Sequence, residues 1–287
     1  MKKLRIGTCS WKYPSWKGIV YSSGVENYLQ EYSRKYSTVE VDQWFWSLFP
    51  GHKNRLPDPG DVRQYRDSVP DDFRFTVKIP NSITLTHAYS KKKSVLGPAN
   101  PAFLSREVFS EFTHTLKPMK DVLGPLIFQF EYLNRQKMES RQEFEERLAK
   151  FRKGLPARWQ YALEIRNGNY LNDRFLGYLM DQEWIPVFLQ GYWMPSIVDL
   201  WQKMKNRIRN FPVMVIRLHG TDREGIEQET GEAWDRIVRP KDKELADIAA
   251  VVSDLMSSAK GLYINVNNHY EGSAPLTIER FLKFLAP

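Results

Sequence analysis

At residues 213–219 the chain reads VMVIRLH, a stretch in which a large apolar side chain occupies every even-numbered position. Successive side chains of a β-strand point to opposite faces, so the even-numbered residues share one face. The other face begins with two valines and ends with Arg217 and His219. In a barrel, one such face packs on the helices and the other fills the interior. The stretch therefore predicts a barrel strand whose inner face becomes polar toward its carboxyl end.

The same alternation recurs in five further strand-like stretches, and the second face becomes polar at the same end. Charged side chains inside a barrel are costly unless they are paired or useful. Barrel enzymes keep their chemistry at the carboxyl ends of the strands. We therefore expect a site formed by Glu40, Lys78, Gln129, Glu164, Arg166, Arg217, His219 and Asn267. A lattice of ion pairs that only neutralises itself is the alternative interpretation.

Strand-like stretches alternate with helical patterns along the whole chain. Such alternation predicts a parallel sheet, and eight strands suggest closure into a barrel. The sequence thus predicts a single (β/α)8 TIM-like barrel domain over residues 1–287, since barrels routinely use about 250 residues as one unit. An open doubly wound sheet is the alternative, but it usually has a Gly-rich first turn, whereas residues 7–11 read GTCSW. The predicted strands are 4–9, 37–42, 73–79, 126–130, 161–166, 185–190, 213–219 and 262–267, and the predicted helices are 25–36, 103–116, 140–152, 173–182, 197–205, 241–257 and 277–285.

Three connections are long, and each follows a predicted strand. Residues 44–72, 80–101 and 220–240 come after the second, third and seventh strands. All three lead from a strand toward a helix, so they should lie over the carboxyl face of the barrel. Long loops in this position are usually functional.

The chain is basic, with a net charge of +8 and a pI near 9.3. Such a surplus favours an anionic partner such as nucleic acid, a nucleotide, a phosphorylated metabolite or an acidic membrane surface. A basic surface without such a partner is the alternative, because charges of both signs are scattered along the chain.

Several protein classes are disfavoured by composition. Cys9 is the single cysteine, so no intrachain disulfide can form, and no Cys/His spacing resembles a structural zinc site. The basic start at residues 1–5 has no apolar run behind it, which argues against a signal peptide. No run approaches about 18 apolar residues, so we expect no transmembrane helix and no membrane partner. The expected location is the reducing cytoplasm.

Positive side chains converge on the predicted pocket. An arginine presents a planar fork to phosphate or carboxylate, whereas a lysine acts as a point charge. We predict that Lys78, Arg166 and Arg217 bind an anionic substrate, and that Gln129 and Asn267 add polar contacts.

Glu40, Glu164 and His219 are the predicted catalytic residues. Two carboxylates on different strands could act as general acid and base, or could hold a divalent metal ion. His219 could be a base or a ligand, and His269 after the last strand is a weaker candidate. No cofactor is identified by the sequence, and a divalent metal ion stays open.

Aromatic residues crowd the segments that follow the strands. Trp11 and Trp44 are the predicted stacking residues for a base or a sugar. Their sequence neighbours Tyr13, Trp16, Phe45 and Trp46, and Tyr192 and Trp193 after the sixth strand, belong to the same group. Packing beneath the long loops is the alternative for each. The three lysines at 91–93 could follow a phosphate backbone, although such a run is usually only solvated.

These motifs together resemble those of the YecE-like proteins, a family classed as domain of unknown function 72. The matching motifs are IGTCSW at 6–11, TVEVD at 38–42, FTVK at 75–78, FQF at 128–130, EIR at 164–166, RLHG at 217–220 and NN at 267–268. The resemblance covers nearly the whole chain and departs at Asp42, where the family usually has Asn. It implies a TIM-like barrel, which has been likened by fold analogy to apurinic endonucleases, and it implies no known activity.

The function predicted from these residues is an enzyme that acts on a phosphate-bearing substrate, either a nucleotide or a nucleic acid. A non-catalytic nucleic-acid-binding protein is the first alternative, because it would use the same basic surface and aromatic residues. A glycoside-processing barrel built on Glu40 and Glu164 is less favoured, because neutral sugars would leave the two arginines and the lysine without a purpose. A scaffold or interaction protein is the remaining interpretation.

Overall fold

The structure is a computed structural model that describes residues 3–49, 53–90 and 95–285. Within these residues, eight parallel strands form one sheet. The strands are β1 (Leu4–Thr8), β2 (Thr38–Val41), β3 (Arg74–Lys78), β4 (Leu123–Gln129), β5 (Tyr161–Glu164), β6 (Ile185–Gly191), β7 (Val213–Gly220) and β8 (Gly261–Val266). Their order is β1-β8-β7-β6-β5-β4-β3-β2, so every strand beyond β1 lies beside its neighbours in the sequence.

The sheet curls into a nearly closed barrel because β1 also meets β2. A parallel bridge joins Cys9 to Glu40, and the Ser10 amide donates to the Glu40 carbonyl at 3.0 Å. Gly7 permits this approach, since a Cβ at that position would lie only 1.9 Å from the carbonyl oxygen of Thr38. The predicted (β/α)8 TIM-like barrel is thereby confirmed.

The two faces of the strands separate as the alternation predicts. One face packs with the surrounding helices in the large core, which includes Phe75 of β3, Phe128 of β4 and Ile216 of β7. The opposite face fills the barrel with a second, smaller apolar cluster of Ile127, Ala162, Val187, Val215 and Tyr263. The barrel interior is thus packed by side chains below the level at which the polar residues begin.

Helices follow the strands, and seven of the described helices begin at a side-chain cap. The helices are α1 (Tyr28–Lys35), α2 (Pro59–Asp67), α3 (Asn81–Thr84), α4 (Arg106–Thr115), α5 (Arg141–Arg152), α6 (Asp173–Asp181), α7 (Ile197–Ile208), α8 (Arg223–Thr230), α9 (Asp242–Ser258) and α10 (Ala274–Leu285). The Ser140 and Ser196 side chains accept from the amides of Glu143 and Asp199, which starts α5 and α7. In the part of the chain that the structure describes, no helix is long and apolar enough to cross a membrane.

The long connections contain more regular structure than the sequence indicates. Helix α2 lies within residues 44–72, where Asp58 caps it and Pro59 takes its first position. Helix α8 lies within residues 220–240 and is capped by Asp222. Both helices are eight or nine residues long and strongly polar, so their apolar periodicity is too short to stand out.

Candidate functional site

The strand register gathers the predicted polar residues at one level of the barrel interior. Three pairs of residues lie opposite each other on neighbouring strands at this level: Gln129 and Glu164, Arg217 and Asn265, and Glu40 and Thr76. This level lies two residues nearer the carboxyl ends of the strands than the apolar cluster. Four of the polar members each follow a residue of that cluster by two positions, and those residues are Ile127, Ala162, Val215 and Tyr263. Parallel strands place that level toward the carboxyl mouth, where barrel enzymes act.

Arg217 is the centre of this layer, and two buried carboxylates hold it. Its Nε and Nη2 atoms donate to the two oxygens of Glu40 at 2.8 and 2.6 Å. Its Nη1 donates to Glu164 at 2.5 Å and to the Gln129 side-chain oxygen at 3.1 Å. Arg217 is 1% exposed, and both carboxylates are fully buried. We call Glu40, Glu164 and Arg217 the buried triad.

Electrostatics keep Glu164 and Arg217 ionised. Burial opposes ionisation of Glu164, but the charges of Arg217 and Arg166 outweigh it and lower its pKa to about 2. Burial likewise disfavours the charged guanidinium, but Glu164 and Glu40 raise the pKa of Arg217 well above its ordinary value. Glu164 is therefore a carboxylate at neutral pH and has no proton to donate as a general acid.

The triad also changes the predicted role of Arg217. Four of its five N–H groups donate to the two glutamates and Gln129, and the side chain is almost wholly buried. That position argues against direct contact with a substrate and indicates that Arg217 fixes the two glutamates. The alternative interpretation from the sequence, a lattice of ion pairs that neutralises itself, therefore fits the buried triad.

Asn265 completes the layer and is a residue that the sequence analysis did not select. Its side-chain amide donates to Glu40 and to the Thr76 hydroxyl, both at 3.0 Å. Asn265 is fully buried. It lies two residues before Asn267 on the same strand face, so the alternation alone could have identified it.

Arg166 lies two residues beyond the end of β5 and rises from the triad toward solvent. Its Nε donates to Glu164 at 2.7 Å, and its guanidinium carbon lies 4.6 Å from the centre of the Tyr192 ring. The side chain is 19% exposed. Its two Nη groups donate no hydrogen bond to any residue that the structure describes, so the outer edge of the fork is open. Arg166 is thus an arginine whose orientation is fixed and whose binding edge is free.

Lys78 ends β3 at the same mouth. Its Nζ lies 3.8 Å from the centre of the Phe45 ring and makes no ion pair or hydrogen bond with the described residues. Burial and the charge of Arg217 lower the pKa of Lys78 to about 8, although Glu40 and Asp42 act in the opposite direction. Lys78 therefore has a substantial fraction of free amine at mildly alkaline pH.

His219 lies next to Cys9 just inside the mouth. Its Nε2 is 3.6 Å from the Cys9 sulfur, and its buried Nδ1 has no hydrogen-bond partner among the described residues. Burial and then the charge of Arg217 lower the pKa of His219 well below its ordinary value, so the imidazole is neutral at pH 7. Burial and then Glu40 raise the pKa of Cys9, which keeps it a thiol.

Asp42 is a second residue missed as a candidate. It follows β2 on the same face as Glu40, and burial raises its pKa although the charge of Lys78 acts against the shift. A carboxyl group of this kind holds its proton to a higher pH than a solvated aspartate. The strand alternation places it at the mouth, and only its buried environment gives it this property.

Asn267 and His269 form a separate group on the turn after β8. The Asn267 oxygen accepts from the His269 amide at 3.0 Å and lies 2.5 Å from its Nδ1. The His269 Nε2 lies 3.0 Å from Glu227 of α8. Asn267 therefore orients its own turn and makes no hydrogen bond to the buried triad. Gly220 allows this turn to pass close to β7, since a Cβ there would lie 2.6 Å from the His269 carbonyl oxygen.

Trp11 and Trp44 are buried rather than open to a ligand. Both rings pack on Tyr65 of α2, with centroid distances of 4.9 and 5.6 Å. Their exposures are 2% and 8%, which argues against the predicted stacking role and fits the packing alternative. The exposed aromatic residues on the connections after β2, β3, β4 and β6 are Trp46, Phe49, Tyr89, Tyr132 and Trp193. The lysine run at 91–93 lies outside the described residues.

The carboxylates that were considered as metal ligands face Arg217. Among residues 3–49, 53–90 and 95–285, no group of three His, Cys, Asp or Glu side chains is arranged to hold a metal ion. Glu40 and Glu164 direct their oxygens at the guanidinium, as their distances show.

Fold and site together define a (β/α)8 barrel with a buried ion-pair layer toward the carboxyl ends of its strands. A family model described as "Protein of unknown function DUF72" matches residues 5–287, so the chain belongs to that family. This confirms the resemblance found in the motifs.

Individual relatives are distant. The UPF0759 protein YecE of Escherichia coli K12 is 31% identical over 81 residues, which cover 28% of this chain and only 25% of that protein. The UPF0759 protein YunF of Bacillus subtilis is 23% identical over 274 residues, which cover 90% of this chain and 86% of that protein. A DUF72 family protein (TM1631) from Thermotoga maritima superposes with a TM-score of 0.69 at 22% identity over 98% of both chains, which supports the fold alone.

Proposed function

We propose that this chain is an enzyme that binds a phosphate-bearing substrate at the carboxyl mouth of the barrel, with Arg166 as the principal anion contact. The observation that carries the proposal is the state of the Arg166 guanidinium. Glu164 holds its Nε, Tyr192 lies against its face, and both Nη groups are free of protein acceptors among the described residues. An arginine fork that is already oriented loses little conformational freedom when it binds phosphate.

The charges of the layer support this assignment. Arg217 and Arg166 are paired with Glu40 and Glu164. Lys78 adds a further cationic group at the mouth, and burial raises the pKa of Asp42, which favours its neutral form. An incoming anion therefore meets Arg166 and Lys78 as positive groups at the mouth.

The buried triad then has a positioning role. Glu164 bridges Arg217 and Arg166, so the orientation of the outer arginine depends on the inner one. Because an isolated buried ion-pair network is a poor source of stability, its presence beneath Arg166 favours a role in binding. Acid and base work falls to the mouth residues, among which Lys78 has its pKa lowered to about 8.

A thermal-shift titration tests the proposal. Purified protein is screened with inorganic phosphate, nucleotides and sugar phosphates, each beside its unphosphorylated counterpart. A ligand that binds only the folded state raises Tm with its occupancy. We expect phosphorylated compounds alone to raise Tm, and Arg166→Ala to abolish the shift.

Arg135→Ala is the matched control, since Arg135 is an exposed arginine on the connection after β4. It should retain the full response. Equal shifts in wild type and Arg166→Ala, with any ligand, would refute the anion site.

A second candidate function, single-stranded nucleic-acid binding, is favoured by a separate observation. The exposed aromatic residues Trp46, Phe49, Tyr89, Tyr132 and Trp193 all lie on connections over the carboxyl face, and Trp193 is 95% exposed. Exposed rings offer stacking surfaces to bases, and the chain is basic. Binding of a fluorescent oligonucleotide that weakens steeply with salt and in Trp193→Ala, without turnover, would favour this function over the enzyme.

A further inference from the structure

Lys78 differs from Arg166 and Arg217 in having no counter-ion at bonding distance among the described residues. Arg217 binds two carboxylates, and Arg166 binds one. The Lys78 Nζ instead lies over the Phe45 ring at 3.8 Å, and the described residues offer it no hydrogen-bond acceptor. A cation–π contact stabilises the ammonium form modestly and leaves the lone pair of the neutral amine accessible once the proton departs. Stability alone does not account for an amine in this position.

Charged groups face Lys78 from three other strands or strand ends. Arg217 of β7 opposes its protonation, whereas Glu40 and Asp42 at β2 and Glu164 of β5 favour it. Desolvation and the Arg217 guanidinium outweigh the carboxylates, so the pKa of Lys78 falls to about 8. A desolvated lysine beside another cation is the environment in which a lysine amine becomes a useful nucleophile.

We propose that Lys78 is a nucleophilic amine that forms a Schiff base with an aldehyde or ketone that also carries a phosphate group. The inference rests on the proposed function only for the phosphate contact at Arg166. Neighbouring strands lie about 4.8 Å apart, so the ends of β3 and β5, with β4 between them, are separated by about 10 Å. A short phosphorylated carbonyl compound can span from the Arg166 fork to the Lys78 amine.

The reaction needs no oxidant or reductant. The neutral Lys78 nitrogen attacks the carbonyl carbon, and the C=O electron pair moves to oxygen to give a carbinolamine after proton transfer. Protonation of the carbinolamine hydroxyl lets water leave, and the nitrogen lone pair forms the iminium C=N bond. We assign Asp42 to lend and recover that proton, because its charge acts on Lys78 and burial raises its pKa. Attack by water reverses each step.

Reductive trapping tests the proposal directly. Wild-type protein is incubated with dihydroxyacetone phosphate or glycolaldehyde phosphate and with sodium cyanoborohydride, and each modified lysine is located by peptide mass mapping. We expect one saturating adduct per chain on Lys78, with the mass of the compound less one oxygen atom. Labelling of Lys78 should increase as the pH rises from 6 to 8, because the free-amine fraction increases.

Lys78→Arg keeps the positive charge, removes the nucleophile and should abolish the saturating adduct. Lys243→Arg, at an exposed lysine of α9, is the matched control and should label as wild type does. Mapping of the wild-type protein identifies the site even if a variant fails to fold. Absence of a Lys78 adduct in folded wild type, or labelling of other lysines only, would overturn the proposal.

The unphosphorylated compounds dihydroxyacetone and glycolaldehyde separate this inference from the proposed function. If both hold, the phosphorylated compounds label Lys78 faster, and Arg166→Ala removes the advantage. If Lys78 labels equally with both kinds and Arg166→Ala has no effect, the Schiff base stands and the phosphate site fails. If phosphorylated compounds raise Tm through Arg166 but no Lys78 adduct forms, the phosphate site stands and the Schiff base fails.

Discussion

The barrel interior contains two adjacent layers built on the same strand face. The lower layer is the apolar cluster of Ile127, Ala162, Val187, Val215 and Tyr263. The upper layer is the buried triad with Gln129, Asn265 and Thr76. The two layers share the same strand backbones, so they differ only in the chemistry of their side chains. The lower layer stabilises the barrel by burying apolar surface, whereas the upper layer costs desolvation that its ion pairs mainly offset.

The largest effect is expected when one charge is removed from the upper layer. Arg217→Met should lower the free energy of unfolding by about 3–5 kcal/mol, because it leaves two buried carboxylates without their shared partner. Urea unfolding at pH 7 measures this loss. Arg207→Met breaks an exposed ion pair with Asp173 and should barely move the midpoint. A loss for Arg217→Met no greater than that control would contradict the described triad.

A substitution in the lower layer should destabilise the protein without touching ligand binding. Ile127 is fully buried, and Ile127→Ala should cost about 2–5 kcal/mol through lost burial and a cavity. Binding of a phosphorylated ligand to the folded variant should stay within about twofold of wild type, which calorimetric titration measures. Selective loss of binding in this variant would remove the functional distinction between the layers.

The pH dependence of stability should report on Glu164. Its folded pKa of about 2 lies below the value of about 4.3 expected in the unfolded chain. A depressed folded pKa adds stability above the unfolded pKa, and that stability is lost as the pH falls from about 4 toward 2. Glu164→Gln should flatten this part of the profile, whereas Glu224→Gln on the surface should not. If the stability of Glu164→Gln fell between about pH 4 and pH 2 as much as that of wild type, Glu164 would not be held ionised in the folded protein.

Strand alternation predicted the buried polar layer because it depends on a period of two, which local sequence shows, and on eight strands, which the succession of strands and helices indicates. Together they placed Glu40, Glu164 and Arg217 on one inner level. The partners of each charge depend on register and rotamer, so the sharing of Arg217 by two glutamates could not be deduced. The open edge of Arg166 and the unpaired amine of Lys78 likewise depend on which acceptors neighbouring strands bring near.

The aromatic residues were the least predictable part of the site. Trp11 and Trp44 are buried because Tyr65 packs against both, and Tyr65 lies on α2. That helix is short and polar, so its presence could not be inferred from periodicity. Whether an aromatic ring that follows a strand is exposed therefore depends here on helix α2, which the sequence pattern does not predict.

Replacing the whole triad by apolar residues tests most directly the claim that the upper layer serves binding. In Glu40→Met/Glu164→Leu/Arg217→Met, all three buried charges are removed together, and apolar replacement of a buried ion network is often neutral or stabilising. Unfolding free energy and affinity for the phosphorylated compound that most raises the wild-type Tm are measured on the same preparation. We expect stability within about 1 kcal/mol of wild type or above it, with affinity at least about tenfold weaker because Arg166 loses the carboxylate that orients it. A stable variant that binds as tightly as wild type would contradict the account.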